Sequence, residues 1–416
     1  MTLQNEIHCQ GEISSTCKKT TQSTCHLFKL GMEKHVNETG ELTISILPEV
    51  YQEALKEIIK KQLKSSADEC EIKIEAASAK GDNYVGILYR AEVTNSSGNK
   101  TKIIIKIPPQ NAARREQFSA GPIFLREILF YNELYPLFKK FQEDKGIDVN
   151  KEGFYQVPEC LRTSNDDQHE ALYLEDLKES GFDMFDRFKD VTLDHVSRVM
   201  ESLGKFHAIS FAIKDQHPEL IEKYKPMKEI FKEFEEASKG GLDGYFIEIV
   251  KQAIGTLDDH PNEKLKDHVG NTLNDKFMDI LMDDVNGASA EPYAVICHGD
   301  CWNNNIMYRY ENGIPVEVRL LDWQIMRYAS PVCDLMYYIF GCTTKALRDK
   351  HYIEFLNVYY HSLSSYLKRF VKVKSMTWIG SIEIVPTQSF LRTTEEIWTF
   401  WDVNGNYGAS SLYKSS

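Results

Sequence analysis

The strongest constraint on the fold of this chain is a polar segment that leads into a predicted β-hairpin, within residues 297–324. Strand-like runs flank Asn312 and Gly313, a residue pair that favours a tight hairpin turn. Asn305 lies seven residues before Asn312, and Asp322 lies nine residues after Gly313. Because paired strands run back beside each other, the hairpin predicts that Asn305 and Asp322 meet at its open end.

The residues at this open end indicate phosphotransfer chemistry. Asp300 lies in the loop that enters the same end, and it precedes Asn305 with the D-x4-N spacing of a kinase catalytic loop. In such a loop the Asp accepts the proton of the attacking hydroxyl, whereas amide and carboxylate oxygens bind Mg²⁺. Asp300 is therefore a candidate base, and Asn305 and Asp322 are candidate metal ligands. The alternative is a polar hairpin mouth in which these side chains only cap the backbone.

A cation for the nucleotide phosphates is expected earlier in the chain. Lys106 ends the strand-like run 103–106, as the lysine of a V-A-I-K strand does, and the alternative is a solvated strand-end lysine. In the next predicted helix Glu127 falls within the apolar stripe, whereas Arg126 falls outside it. A carboxylate on an apolar face needs a cationic partner, so we predict an ion pair with Lys106. Exposure of Glu127, or pairing with an arginine at 114–115, is the alternative.

Two further segments are candidate nucleotide contacts. A turn between two predicted strands ahead of Lys106 could present backbone N–H groups to phosphates, although such a turn is more often a plain hairpin. It contains Gly81, Asp82, Asn83 and Tyr84. Glu175 and Leu177 follow an apolar strand and predict either a hinge that binds adenine or a simple linker. No G-x-x-x-x-G-K-[ST] motif occurs, which excludes a P-loop enzyme.

Composition restricts the class of partner. The 416 residues include 62 acidic and 49 basic side chains, and the net charge of -13 disfavours binding to nucleic acid. No apolar run approaches the roughly 18 residues of a membrane-spanning helix. The N-terminus lacks a signal-peptide pattern, and the nine cysteines are scattered without CxxC pairs, which is typical of a reducing compartment. We therefore expect a cytoplasmic protein that binds a small molecule.

The order of the patterns predicts four segments. Residues 1–45 are polar without a sustained period and predict a disordered extension. Residues 46–177 combine short strands with a few helices and predict a nucleotide-binding N-lobe. Residues 178–370 are mainly helical and predict a catalytic, acceptor-binding C-lobe, whereas 371–416 form an atypical C-terminal segment.

These motifs together resemble the ecdysteroid-kinase-like, or CHK-kinase-like, proteins, which are related to choline kinases and aminoglycoside phosphotransferases. The resemblance covers residues 71–370. Its motifs are KGDNYVGILYR at 80–90, IIIKIPP at 103–109, FLREILFYNELYP at 124–136, YLEDL at 173–177, FHA at 206–208, HGDCWNNNIMYRY at 298–310 and LLDWQ at 320–324.

The resemblance implies an α+β, bilobal protein-kinase-like fold with a small antiparallel-sheet N-lobe and a larger, mainly helical C-lobe. It also implies ATP- and Mg²⁺-dependent phosphorylation of a small-molecule hydroxyl, with an ecdysteroid or similar steroid alcohol as the named substrate class. The residues carried over are Asp300 as base, Asn305 and Asp322 as magnesium ligands, Lys106 as phosphate contact with Glu127 as its partner, and Glu175 to Leu177 as the adenine hinge.

Other functions remain alternatives at this point. Within the kinase class, a choline-like or aminoglycoside-like acceptor would favour an acidic pocket, and a steroid would favour an apolar one. A nucleotide-binding pseudoenzyme without transfer activity is the second class, favoured by the atypical segment 371–416. A lipid or hormone carrier is the third, and it leaves the metal-type residues unexplained.

Overall fold

The computed structural model describes residues 44–77, 86–238, 241–255, 257–258, 263–272 and 277–370. Three predicted features lie outside these ranges: the extension up to residue 43, the candidate phosphate turn with Gly81, Asp82, Asn83 and Tyr84, and the segment 371–416.

Residue contacts divide the chain into two compact units. The first unit contains Met1–Ala77 and Tyr89–Ile103, and the second contains Ser78–Leu88 and Ile104–Ser416. The lobe boundary after residue 177 stays a prediction.

The first unit combines a helix with an antiparallel sheet. Helix α1 (Glu49–Leu63) buries Tyr51, Leu55, Ile58 and Ile59, which recur at helical spacing and so form one face. It precedes strands β1 (Cys70–Ala76), β2 (Ile87–Asn95, of which Tyr89 onward belongs to this unit) and the first half of β3 (Lys100–Ile107).

The turn between β2 and β3 is closed by Asn95. Its Oδ1 accepts hydrogen bonds from the N–H groups of Ser97 and Asn99 at 3.0 and 2.9 Å. This is the backbone-mimicking geometry that makes Asn common in turns. Gly98 supplies the positive φ of 81° that the turn requires.

The second unit contains the remaining elements. In chain order they are α2 (Ala112–Gln117), α3 (Ala120–Leu129), a π-helical turn (Phe130–Leu134), α4 (Tyr135–Asp144), α5 (Val149–Glu152), β4 (Cys160–Ser164), β5 (Ala171–Glu175), β6 (Phe182–Met184), α6 (Leu193–Gln216), α7 (Pro218–Glu222), α8 (Ile230–Ser238), α9 (Gly241–Gly255), α10 (Glu263–Thr272), α11 (Phe277–Asp284), β7 (Val295–Cys297), β8 (Ile306–Glu311), β9 (Ile314–Leu320), β10 (Arg327–Ala329), α12 (Val332–Cys342) and α13 (Lys345–Phe370).

Three strand arrangements position the polar segments of this unit. Strand β3 neighbours β5, which pairs antiparallel with β4. Strands β8 and β9 form the predicted hairpin, with β6 on the outer side of β8. Strand β10 pairs antiparallel with β7, so Arg327 lies opposite Cys297.

The core of the second unit is built around the long helices α6 and α13. Val199, Leu203 and Phe206 of α6 belong to the same buried cluster as Tyr359 and Leu363 of α13. The two helices approach closely at Gly204. A Cβ atom added at this position would lie only 2.7 Å from the Ser362 Cβ.

The segment 221–236 contains the end of α7 and most of α8 rather than one continuous helix, because Pro226 between them cannot donate the backbone hydrogen bond of a continuous helix. None of the helices in the described part of the chain combines the length and hydrophobicity that crossing a bilayer requires. The predicted α+β class is confirmed.

Candidate active site

The hairpin brings the predicted residues together at its open end. Ile306 of β8 lies opposite Leu320 of β9, and the Leu321 N–H donates to the Asn305 carbonyl at 2.8 Å. Asn305 therefore lies beside the residue that precedes Asp322. The Asn305 Nδ2 donates to Asp300 Oδ2 at 2.9 Å and to the Asp300 carbonyl at 3.0 Å.

Asp300 has the environment of a general base. Its Oδ1 accepts a hydrogen bond from the Tyr337 hydroxyl at 2.9 Å. Burial, with a contribution from Asp322, raises the pKa of Asp300 to about 6, although the Tyr337 and Asn305 hydrogen bonds oppose this shift. The carboxylate is thus ionised at neutral pH, and its pKa is closer to the working pH than that of an ordinary Asp, as general-base catalysis favours.

The loop that carries Asp300 is held from beneath by Asp334 of α12. The two oxygens of this buried carboxylate accept the N–H groups of His298 and Gly299 at 2.7 and 2.8 Å. His207 of α6 lies 3.1 Å from Asp334 through its Nε2. Burial would raise the pKa of Asp334, but the His207 contacts and the Gly299 N–H lower it, and the net shift is downward.

His298 braces the same loop as a neutral imidazole. Its Nδ1 accepts the Asp300 N–H at 3.2 Å, so its Nε2 carries the proton and donates to the Leu321 carbonyl at 2.9 Å. Burial lowers the pKa of His298, consistent with a neutral ring.

Backbone conformation restricts two positions of the site. Gly299 has φ of 88°, and a Cβ atom there would lie 2.0 Å from the Ile325 carbonyl oxygen, so no other residue fits without displacing the loop. Asp322 is not glycine but has φ of 65°. Residues held in this unfavourable region concentrate at functional sites.

Lys106 pairs with two carboxylates. Its Nζ lies 2.6 Å from Glu127 Oε2 and 3.1 Å from Asp322 Oδ1, and Glu127 is fully buried. Burial lowers the pKa of Lys106, but Asp322 and Glu127 raise it more, and the net shift is upward. Burial raises the pKa of Glu127, against the opposing effect of Lys106.

Glu127 is neither exposed nor paired with Arg115. Arg115 pairs with Glu170 at 2.8 Å instead. Gly86, at the described end of the candidate phosphate turn, lies beside the lysine: a Cβ atom there would be 3.7 Å from Lys106 Cε.

The prediction that Arg126 falls outside the buried face of its helix is wrong. Its side chain is buried and donates to the carbonyl groups of Lys228 and Met326 at 2.6 and 3.4 Å. These partners lie 102 and 200 residues later in the chain, so the apolar stripe of one helix could not reveal that they cover this face.

Two hydrogen bonds connect the candidate hinge to Glu159. The Glu175 N–H donates to the Glu159 carbonyl at 3.0 Å, and the Glu175 carboxylate accepts the Glu159 N–H at 2.8 Å. Leu177 is buried and begins a short 3-10 helix, where Asp176 caps the Lys178 N–H. Adenine binding by Glu175 and Leu177 stays a prediction.

Tyr337 is a site residue that sequence reasoning missed. It lies three residues after Asp334 on α12, so the two side chains point from the same side of the helix. That spacing is the sequence signal for Tyr337, but it becomes informative only once Asp334 is known to accept hydrogen bonds from the loop of Asp300.

The donor set fits Mg²⁺. The amide nitrogen of Asn305 donates to Asp300, and the amide oxygen of Asn305 therefore points away from the Asp300 carboxylate. Together with the Asp322 carboxylate this offers two hard oxygen ligands, the kind that Mg²⁺ prefers.

Comparison with known proteins classifies this arrangement. The model of the ecdysteroid kinase-like family matches residues 80–371, well over half of the chain. The prediction of a phosphotransferase with an alcohol group as acceptor is confirmed at the level of this class. The chain belongs to the ecdysteroid kinase-like family. A comparison with curated proteins gives no match.

Two solved phosphotransferase structures are distantly similar to this chain. The GDP and kanamycin complex of APH(2'')-IIIa is 11% identical with a TM-score of 0.40, over 84% of this chain and 90% of that chain. Macrolide 2'-phosphotransferase MphH from Brachybacterium faecium is 12% identical with a TM-score of 0.34, over 88% and 93%. The family match, not these likenesses, supports the classification.

Proposed function

We propose that the protein transfers the terminal phosphoryl group of ATP, with Mg²⁺, to a hydroxyl group of a small molecule, an ecdysteroid or similar steroid alcohol. The observation that carries the proposal is the triad formed by Lys106 with Glu127 and Asp322, at 2.6 and 3.1 Å. A buried lysine shared by two carboxylates, one of them beside the candidate base loop, is the arrangement that a kinase uses to position phosphates.

Each residue then has one role. Asp300 accepts the proton of the acceptor hydroxyl as that oxygen attacks the phosphorus atom, and Asp334 and His298 hold its loop in place. Lys106, oriented by Glu127, contacts the nucleotide phosphates. Asn305 and Asp322 would hold Mg²⁺, which supplies charge neutralisation for the phosphates. The backbone of Glu175 and Leu177 would bind adenine, and the turn 81–84 would contact phosphate.

The test is transfer of label from γ-labelled ATP and Mg²⁺ to an ecdysteroid, to choline or to kanamycin, followed by mass spectrometry. Asp300→Asn removes the proton acceptor but leaves the nucleotide contacts, so we expect turnover to fall by about 10²–10⁴-fold with ATP binding retained. Asp183→Asn, at an exposed position of β6, is the matched control and should leave turnover unchanged.

Three outcomes would contradict parts of the proposal. Equal turnover in Asp300→Asn and wild type would disprove the assigned base. Label on choline or kanamycin but not on the steroid would disprove the substrate class. Binding of ATP without transfer to any alcohol would identify a pseudoenzyme.

A further inference from the structure

A cavity of about 880 Å³ lies in the second unit, outside the residues assigned above. Its apolar wall includes Met227, Phe231, Met282 and Val285, and Arg327 and Tyr328 of β10 close another side. The volume is in the range of pockets that bind drug-sized molecules.

Arg327 is the buried polar group that points to a ligand. It is 7% exposed and lines the cavity, and its guanidinium lies 5.4 Å from the centre of the Phe231 ring. Its Nη2 is 3.1 Å from Glu229 Oε1, yet within the described residues Nε and Nη2 complete no hydrogen bond. Buried donors without acceptors are costly, so an acceptor oxygen on a ligand would stabilise them.

Acidic and basic side chains nearly cancel in the wall. The acidic ones are Glu229, Glu235, Asp279 and Glu291, and the basic ones are Lys225, Lys232 and Arg327. Glu229 is paired with Arg327, and Glu291 is contacted by Lys214, Lys225 and the Tyr328 hydroxyl. Since Glu229 and Glu291 already have partners, they attract a cationic ligand less than unpaired carboxylates would. With apolar and charged side chains both in the wall, the cavity suits an uncharged molecule that has apolar surface and a hydrogen-bond-accepting oxygen.

Arg327 connects the cavity wall to the segment that leads to Asp300. In the pairing of β10 with β7, Arg327 lies opposite Cys297. Cys297 is three residues before Asp300 in the chain. The segment that leads to Arg327 touches the loop itself, where the Ile325 carbonyl limits the space at Gly299. The positive charge of Arg327 also acts on Asp300 and lowers its pKa.

We propose that this cavity binds the body of the acceptor molecule and that Arg327 selects acceptors with a carbonyl group. The ligand is an uncharged, mainly apolar alcohol whose carbonyl oxygen accepts hydrogen bonds from the Arg327 N–H groups. The statement that the ligand is the phosphoryl acceptor rests on the proposed function. Binding of a ligand in the cavity can be tested without phosphoryl transfer.

The binding test uses 4-(hydroxymethyl)benzophenone, which is apolar, carries a ketone and a primary alcohol, and attaches to nearby C–H bonds on irradiation. Its partner probe is 4-(hydroxymethyl)diphenylmethane, which has the same shape without the ketone. A hydrogen bond to a charged group contributes about 1.5–3 kcal/mol, so the ketone should bind roughly 10- to 100-fold more tightly. Peptide mapping should place the photolabel on residues of the cavity wall, such as Met227.

Two variants and a control locate the site. Met282→Trp fills the cavity and should abolish labelling of the wall, whereas Ile353→Trp, at an exposed position of α13, should not. Arg327→Met combined with Glu229→Gln removes both members of the ion pair, so no charge is left unpaired. It should abolish the preference for the ketone while the apolar analogue still binds. Labelling elsewhere, or equal labelling in both tryptophan variants, would overturn the site.

Transfer of label from γ-labelled ATP to the probe alcohol separates this proposal from the proposed function. Met282→Trp should raise the KM for the alcohol and leave the KM for ATP unchanged. If other alcohols are phosphorylated and Met282→Trp has no effect on their KM, the acceptor assignment is wrong and the kinase function stands. If no alcohol is phosphorylated although the cavity is labelled, the proposed function fails and the binding site stands.

Discussion

At the scale of single residues, the site depends on a few charges that are largely or fully removed from bulk water. Glu127 has no exposed surface, and its partner Lys106 has 9% of its side chain exposed. Such a pair adds little net stability compared with apolar residues, but removal of one member leaves a buried charge uncompensated.

This asymmetry gives a prediction for Lys106→Met. We expect the variant to lower the free energy of unfolding by about 3–5 kcal/mol, because Glu127 is left buried without its cation. The double variant Lys106→Met with Glu127→Leu should recover most of that loss while phosphotransfer remains absent. Urea denaturation of the three proteins measures both effects.

An exposed pair is the control for this cycle. Lys140 and Asp144 lie 2.8 Å apart, one turn apart on α4, with most of both side chains in solvent. Lys140→Met should therefore cause no large change in stability. A loss in Lys140→Met as large as that in Lys106→Met would show that burial is not the cause.

At the scale of elements, the close contact of α6 with α13 supports the loop of Asp300. Helix α6 supplies His207, which contacts Asp334, and α13 supplies Tyr359, whose hydroxyl lies 3.0 Å from His207 Nδ1. The separation of these helices thus affects the position of the loop of Asp300.

Gly204→Ala tests this coupling. The added Cβ would lie 2.7 Å from Ser362 Cβ and 2.9 Å from the Leu363 backbone nitrogen, so the helices must move apart. We expect a loss of about 1–3 kcal/mol, as for other overpacked cores, together with reduced turnover at unchanged KM for ATP. Thermal denaturation and steady-state kinetics measure the two effects.

Gly341→Ala, within α12, is the matched control. A Cβ atom there meets nothing within 4 Å, so the change should stabilise the helix by about 0.5–1 kcal/mol. Destabilisation by both alanines alike would mean that helix separation is not what Gly204 controls.

At the scale of the whole molecule, the described residues assigned to nucleotide and metal all belong to the second unit. These residues are Lys106, Glu127, Glu175, Leu177, Asn305 and Asp322. A ligand that binds only the folded protein stabilises it by RT ln(1 + [L]/Kd).

We therefore expect ATP with Mg²⁺ to raise the melting temperature of wild type, corresponding to about 2.7 kcal/mol at a ligand concentration 100-fold above Kd. Asp322→Asn should lose the part of this shift that requires Mg²⁺, because it removes one of two oxygen ligands. Differential scanning calorimetry with ATP alone and with ATP and Mg²⁺ measures the difference. An identical Mg²⁺-dependent shift in the variant would remove Asp322 from the proposed metal site.

The sequence by itself determined those features that depend on counting residues along one or two adjacent elements. The hairpin at Asn312 and Gly313 specified that Asn305 and Asp322 approach each other, because antiparallel register follows from turn position. The period of one helix likewise placed Glu127 on a buried face. Residue types then indicated the chemistry, and the motifs indicated the family.

Only the tertiary structure decided which distant groups meet. Arg126 is buried by carbonyl groups up to 200 residues later in the chain, and Tyr337 reaches Asp300 from a helix that begins after the hairpin. The cavity beside Arg327 is assembled from separate helices and a strand. The physical reason is that such contacts depend on packing between elements, whose energy is summed over the whole core and leaves no periodic pattern in the local sequence.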